Sequence, residues 1–117
     1  MKLSANKGLS LVGLATKAGR TASGEFSTEK AVKEGNAFLV IVSEESSENT
    51  RKKFQNLCAY YHVPLCVYGT KTQLGAAMGK EFRASLAVLD EGFAKAIRKE
   101  LENGSDGGSR HVESESI

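Results

Sequence analysis

The sequence predicts an α/β fold, in which a small mixed sheet lies between helices as a three-layer α/β/α sandwich. Two observations predict this class. Residues 37–42 are six consecutive apolar residues, the pattern of a strand that is covered on both faces. Segments with helical spacing alternate with this strand and with two shorter apolar segments, at 65–68 and 85–89. Right-handed connections between such strands would place helices on both faces of the sheet.

The first predicted helix covers residues 4–18. Gly19 stands where a left-handed residue closes a helix. Gly8 and Gly13 each weaken this helix by about 1 kcal/mol relative to alanine, which indicates either close packing of its backbone or a later start. Its apolar residues at helical spacing are Leu11, Leu14, Ala15 and Ala18.

Two more helices flank the central strand. A short extended segment at 20–23 precedes the first of them, which is predicted at 24–34 and is closed by Gly35. The second is predicted at 47–61, because an apolar stripe with helical spacing runs along it. The members of that stripe are Phe54, Leu57, Cys58 and Tyr61.

The last part of the chain predicts two strands and two helices. After the strand at 65–68, Thr70 and Gln73 form a capping box for a short helix. The strand at 85–89 follows, and Asp90 caps a final helix. Apolar residues fall at four-residue spacing along that helix: Phe93, Ile97 and Leu101.

Length and composition indicate one ordinary domain. The chain has 117 residues, of which 40% are hydrophobic and 26% are charged. We predict a single domain at residues 1–102 and a disordered tail at 103–117, which is rich in glycine and serine. No apolar run approaches the roughly 20 residues that span a bilayer, and no signal peptide is recognisable. We therefore expect a cytoplasmic protein without membrane contact, in which Cys58 and Cys66 are reduced, packed thiols.

The sequence carries no motif for catalysis or for a resident cofactor. Cys58, His62 and Cys66 match no compact zinc pattern, and the glycine-rich phosphate motifs are missing. His62 is expected to be an exposed residue at a helix end. The pair Glu44-Glu45 follows the central strand, where it would serve either as the acid and base of a small enzyme or as solvated loop carboxylates. We predict no enzyme, no metal and no cofactor.

Basic and glycine-containing turns are the features that remain. Lys17 and Arg20 flank the end of the first helix, and Gly24 opens the second, with Lys30 one to two turns further on. The start of a helix exposes unpaired backbone N–H groups, which suit an RNA phosphate or a base edge. An ordinary tight turn explains the same residues. A second basic set at residues 51–53 has a solvated helix face as its simplest interpretation.

Several segments resemble the kink-turn-binding ribosomal proteins of the archaeal L7Ae type, and most closely a small bacterial branch of that family. The signature consists of Cys58, Val63-Pro64, Lys71 and Leu74-Gly75 at the family's spacing. The resemblance covers about residues 5–102, with its segments in the family's order. The other matching segments are 14–20, 30–35, 46–54, 75–79 and 88–94.

The resemblance implies an α/β/α sandwich that binds structured RNA, either ribosomal or kink-turn RNA, in association with the ribosome and without catalysis or a cofactor. In the family, the kink-turn is a sharply bent duplex with tandem sheared G·A pairs. The turn that opens the second helix and an apolar loop before the last strand grip it. By motif position, the turn maps to Gly24, Glu25, Phe26, Ser27 and Lys30, and the loop maps to Glu81, Phe82, Arg83 and Ala84.

The chain departs from the family's pattern at both surfaces. Phe26-Ser27 replaces the Asn-Glu that faces the guanine edges, so direct readout of bases must change there. Arg83 stands among residues that are typically small and apolar, where a flipped-out nucleotide would stack on Phe82 or on the guanidinium. The alternative is a protein-interaction or assembly module that has lost specific RNA recognition. No unpaired apolar stripe predicts a dimer, so we expect a monomer.

Overall fold

The computed structural model describes residues 7–103, which form five helices and four strands in the predicted order. The predicted α/β class is confirmed, and most boundaries agree to within two residues. In chain order the elements are α1 (Lys7–Lys17), β1 (Thr21–Ser23), α2 (Glu25–Lys33), β2 (Leu39–Val42), α3 (Glu48–Tyr61), β3 (Leu65–Val67), α4 (Lys71–Ala77), β4 (Ser85–Val88) and α5 (Glu91–Asn103). The predicted tail lies outside the described residues, apart from Asn103 at its start.

The four strands form one mixed sheet in the order β1-β4-β2-β3. β2 and β3 are parallel, with Val40 opposite Leu65. β4 is antiparallel to both of its neighbours, β1 and β2. The last of these four strands is therefore a central strand, and it joins β1 to the rest of the sheet.

Helices cover both faces of this sheet, as the apolar run of β2 predicted. All four residues of β2 are buried, and alternate side chains point to opposite faces. Leu39 and Ile41 pack with residues of α1, α4 and α5, while Val40 and Val42 pack with residues of α2 and α3. The three-layer architecture is thus confirmed, with one hydrophobic cluster on each side of the sheet.

The turn before α2 and the loop before β4 lie at the same edge of the sheet, which we call the upper edge. There β1, β2 and β3 end and β4 begins. The backbone N–H of Gly24 donates to the carbonyl of Ser85 (3.0 Å), and that of Ser43 donates to the carbonyl of Ala84 (2.8 Å). The Ser43 hydroxyl donates to the carbonyl of Gly69 at 3.0 Å. These bonds connect the turns at the upper edge into one hydrogen-bonded unit.

The predicted apolar stripe of α1 is correct at Ala15, which is buried, and at Leu11, which packs against the core, but it is wrong at its other two members. Leu14 is 53% exposed and Ala18 is exposed, whereas the helix buries a neighbouring stripe. The buried residues of α1 are Gly8, Leu9, Val12 and Ala15.

The backbone of α1 also packs closely on this buried face. A Cβ at Gly8 would lie 2.5 Å from Leu101 Cδ2 of α5, and a Cβ at Gly13 would lie 3.0 Å from the carbonyl oxygen of Ala77 in α4. Close packing therefore explains both glycines, while residues 4–6 of the predicted helix lie outside the described residues. Leu9, Val12 and Ala15 mark the buried face with apolar side chains, and the two glycines add backbone contacts to it that hydrophobic periodicity does not register.

The central strand begins later than predicted. β2 starts at Leu39, and Phe38 is 41% exposed although its backbone N–H donates to the carbonyl of Val88 (2.8 Å). Gly35 (φ +79°) closes α2 as expected. Residues 36–38 then connect this turn to β2. An apolar run predicts burial of a strand better than it predicts the strand's first residue.

The two cysteines are buried, packed residues, as predicted. Cys58 lies in the cluster beneath α2 and α3, while Cys66 lies in the cluster on the other face of the sheet. Burial raises the pKa of the Cys58 thiol to about 12. The predicted position of His62 is confirmed as well, because this exposed residue ends α3 in the left-handed conformation with φ +60°.

Candidate nucleic-acid interface

The turn that opens α2 presents backbone N–H groups at the upper edge. Gly24 precedes the helix with φ +94°, a conformation that favours glycine, and no side chain caps the helix there. The first intrahelical bond joins the N–H of Thr28 to the carbonyl of Gly24 at 2.9 Å. The amides of Glu25, Phe26 and Ser27 belong to the first turn, where a helix provides no acceptor. This helix start suits a negatively charged group.

The loop at residues 81–84 is fastened to the end of β1 by Arg83. Its guanidinium Nε donates to the hydroxyl of Ser23 at 3.0 Å, and its Nη1 donates to the carbonyl of Phe82 at 2.7 Å. Its backbone N–H donates to the carbonyl of Lys71 at 3.1 Å. One residue therefore ties the loop to β1, to itself and to the start of α4.

The two predicted surfaces lie side by side. Ser23, which accepts from Arg83, directly precedes Gly24, and Gly24 in turn bonds to the residue that follows the loop. Two aromatic rings are exposed on this combined surface: Phe26 is 77% exposed and Phe82 is 60% exposed. A surface of backbone amides, a guanidinium and two accessible rings can meet both phosphates and nucleobases.

Lys30 lies in the same helix as the opening turn. Its Nζ is 2.9 Å from Glu34 Oε2, and the two side chains are 57% and 49% exposed. Ion pairs this exposed contribute little to stability and exchange readily with other partners. Lys30 therefore remains available to a phosphate.

Lys17 and Arg20 are not part of this combined surface. They precede β1, whose first residue Thr21 pairs with Val88 at the opposite edge of the sheet. The carbonyl of Arg20 accepts from the N–H of Leu89, also at that lower edge. A strand of three residues separates Arg20 from Gly24, so their Cα atoms are roughly 13 Å apart. Any contact that Lys17 and Arg20 make involves a different part of a ligand.

Lys53 is the residue that the sequence interpretation missed. The basic run at 51–53 predicts a solvated helix face, but Lys53 Nζ contacts α2, 2.9 Å from Glu25 Oε2 and 2.7 Å from Glu29 Oε1. Glu29 also pairs with Lys33 at 2.9 Å. The partners of Lys53 lie more than twenty residues away in the chain, so no local spacing signalled the contact.

Because of these ion pairs, we expect the Glu29 carboxyl to titrate at an unusually low pH. Hydrogen bonds from Lys33 and Lys53 lower the pKa of Glu29 from 4.5 to about 2. Because the folded-state pKa is depressed, the contribution to stability is present above pH 4.5 and is lost as the pH falls toward 2. In an NMR titration the Glu29 carboxyl should stay ionised through pH 3, and Glu29→Gln should show a flatter fall in melting temperature over that window. A Glu29 carboxyl that titrates near 4.5 would contradict the pairing.

The alternative of an enzyme centred on Glu44 and Glu45 gains no support from the geometry. Both residues are exposed, and Glu45 Oε1 accepts from the backbone N–H of Lys71 at 2.9 Å, at the start of α4. Within residues 7–103, no group of three or more His, Cys, Asp and Glu side chains is arranged to hold a metal. Over the same residues, no helix has the length and apolar character needed to cross a membrane.

Comparison with known proteins identifies the family. The RNA-binding protein YlxQ of Bacillus subtilis is 40% identical over 87 residues, which cover 74% of this chain and 87% of that protein. The large ribosomal subunit protein eL30 of Aeropyrum pernix is 33% identical over 85 residues, covering 71% of this chain and 85% of that protein. A solved structure of a Bacillus halodurans protein of unknown function is similar with a TM-score of 0.81 at 37% identity, over 83% of this chain and 98% of that one.

A family model matches residues 6–98, most of the chain. This protein therefore belongs to the ribosomal protein L7Ae/L30e/S12e/Gadd45 family.

Proposed function

We propose that this protein binds structured RNA of the kink-turn type, as a monomer associated with the ribosome in the cytoplasm, and that it does so without catalysis. The observation that carries the proposal is the junction of the α2 turn with the loop at 81–84. In the family that the sequence resembles, these same two elements grip the bent RNA. The names of the bacterial and archaeal relatives, an RNA-binding protein and a ribosomal protein, agree with it.

The proposed mechanism is recognition of shape by a rigid surface. The amides at the start of α2 hold a phosphate at the bend, and Lys30 adds a cation one to two turns further on. Phe82 and the guanidinium plane of Arg83 stack on a nucleotide that the bend has flipped out. The energy of these contacts offsets the cost of bending the RNA.

The substitution at Phe26-Ser27 changes how bases are read. A phenyl ring neither donates to nor accepts from the guanine edges that an Asn-Glu pair would meet. Because Phe26 is 77% exposed, its face is available for stacking. We propose that this protein relies on stacking and backbone contacts more than on hydrogen bonds to the sheared G·A pairs.

The decisive experiment is a titration of a labelled kink-turn RNA at two salt concentrations. Affinity and bending are followed together by energy transfer between dyes on the two arms, and an RNA with disrupted G·A pairs is the control. Tight binding with bending that the control lacks supports kink-turn recognition. Equal and strongly salt-dependent binding to both RNAs would reduce the protein to a general RNA binder. Absence of binding would instead favour a protein partner.

Lys30→Ala is expected to weaken RNA binding about three- to tenfold while the fold is retained. The loss follows from one phosphate contact fewer, which should also reduce the log–log salt slope by roughly 0.7 to 0.9. Affinity is measured at several salt concentrations, and the melting temperature checks the fold. Lys99→Ala is the matched control, because this exposed lysine lies on α5 at the other face of the sheet. An equal loss in both variants would contradict the placement of the site.

A further inference from the structure

Ion pairs join α2 to α3 beside the proposed RNA surface. Lys53 Nζ of α3 lies between two carboxylates of α2, 2.9 Å from Glu25 Oε2 and 2.7 Å from Glu29 Oε1. The second oxygen of Glu29 is 2.9 Å from Lys33 Nζ. These four side chains, which we call the α2–α3 ion cluster, contain two positive and two negative charges.

The two carboxylates of this cluster place negative charge close to the proposed phosphate site. Glu25 is the first residue of α2, and Glu29 lies about one turn further along. Glu25, in the first turn, compensates the positive end of the helix, the same end that is to accept a phosphate, and Glu29 adds a second negative charge one turn away. Without a compensating cation they would repel the RNA backbone from the amides of the opening turn.

Lys53 of the neighbouring helix compensates this negative charge. It contacts both carboxylates at once, whereas Lys33 reaches Glu29 alone. The pairing also raises the pKa of Lys53, chiefly through its hydrogen bonds with Glu29 and then Glu25, so the lysine stays charged wherever RNA is bound. The whole cluster is neutral with Lys53 and negative without it.

We propose that Lys53 is a positioning residue of the RNA surface: it holds the Glu25 and Glu29 carboxylates toward α3 and compensates their charge, so that the start of α2 accepts a phosphate. The inference rests on the proposed function and adds a residue to it that does not itself contact RNA.

The α2–α3 ion cluster contributes little to the stability of the fold. The buried side chains of Val32, Phe54 and Cys58, with their neighbours, already pack α2 and α3 over the sheet. The side chains in the pairs of Lys53 are 26% to 50% exposed, and pairs of this kind stabilise folded proteins only slightly. Removal of Lys53 should therefore leave the fold intact and act mainly on the charge that a ligand meets.

The test compares Lys53→Met with Lys52→Met, which removes the same charge from the adjacent position without touching either carboxylate. We expect Lys53→Met to weaken binding of the kink-turn RNA about three- to tenfold at low salt, and Lys52→Met to weaken it less than about twofold. Lys53→Arg keeps the charge and both pairs, and it should bind as the wild type does. Melting temperatures establish that each variant is folded.

A second set of variants tests whether Lys53 acts through the two carboxylates or contacts the RNA directly. With Glu25→Gln and Glu29→Gln in place, no carboxylate needs compensation, so Lys53→Met should then cost less than about twofold. An equal loss in both backgrounds would mean that Lys53 meets the RNA itself, and it would overturn the inference. An unchanged affinity of Lys53→Met in the wild-type background, while Lys30→Ala still weakens binding, would also overturn it. If the wild type binds no RNA, the proposed function fails and the inference with it.

Discussion

Replacement of Gly75 by alanine is expected to destabilise the protein by about 2 kcal/mol, although Gly75 lies inside a helix where alanine is otherwise preferred by about 1 kcal/mol. The new Cβ would lie 2.5 Å from the carbonyl oxygen of Glu81 and 2.8 Å from the backbone nitrogen of Phe82. Backbone atoms cannot rotate away, so the loop at 81–84 must move off α4. Chemical unfolding measures the loss of stability, and RNA titration should show weaker binding.

Gly8→Ala is the matched control for this effect. It introduces the same methyl group at a comparable distance, 2.5 Å, but the nearest atom is Leu101 Cδ2 at the end of a flexible side chain. Rotation of that leucine should limit the loss to less than about 1 kcal/mol and leave RNA affinity unchanged. If Gly75→Ala were as stable as the wild type, the loop would not be held rigidly against α4.

Arg83→Ala is expected to produce the largest loss of RNA affinity, about tenfold or more. The change removes a cation and a stacking plane from the surface, and it releases the loop from Ser23, to which Nε donates at 3.0 Å. Stability should fall by no more than about 1 kcal/mol, because the bonds that are lost are partly exposed. Fluorescence titration of the kink-turn RNA against the purified variant measures the effect.

Ser23→Ala separates the two contributions of Arg83. It removes the acceptor of the Nε hydrogen bond and leaves the guanidinium in place, so about a two- to threefold loss of affinity is expected. A loss as large as that of Arg83→Ala would assign the whole effect to loop position. Full affinity in both variants would exclude this loop from the RNA surface.

The sequence located the elements of the fold because their signals are local. The apolar run of β2, the Thr70 and Gln73 capping box and the glycine at the end of α1 each depend on neighbouring residues. The stripe predicted for α1 omits the buried residues Leu9 and Val12, and the same face also makes contact through Gly8 and, against the backbone oxygen of Ala77, through Gly13. Hydrophobic patterning describes side chains, and it does not register close approach between two backbones.

The structure brings together the two elements that the resemblance indicates, whereas the contacts between them were not predictable from the sequence. Motif resemblance placed the α2 turn and the loop at 81–84, but the hydrogen bond of Arg83 to Ser23 joins residues far apart in the chain. The contacts of Lys53 with α2 are non-local for the same reason. Conversely, Lys17 and Arg20 are near Gly24 in sequence, yet β1 carries them to the opposite edge of the sheet.

The order of the strands has a consequence for the newly made chain. β4 lies between β1 and β2, but it is synthesised last of the four. A nascent chain that ends before residue 85 holds the α2 turn and the loop at 81–84 without the strand that brings them together. Pairing across such long separations is also slow, since the loop must close before its contacts form. If the proposed function holds, the RNA surface is therefore complete only after β4 has been synthesised and has paired with β1 and β2.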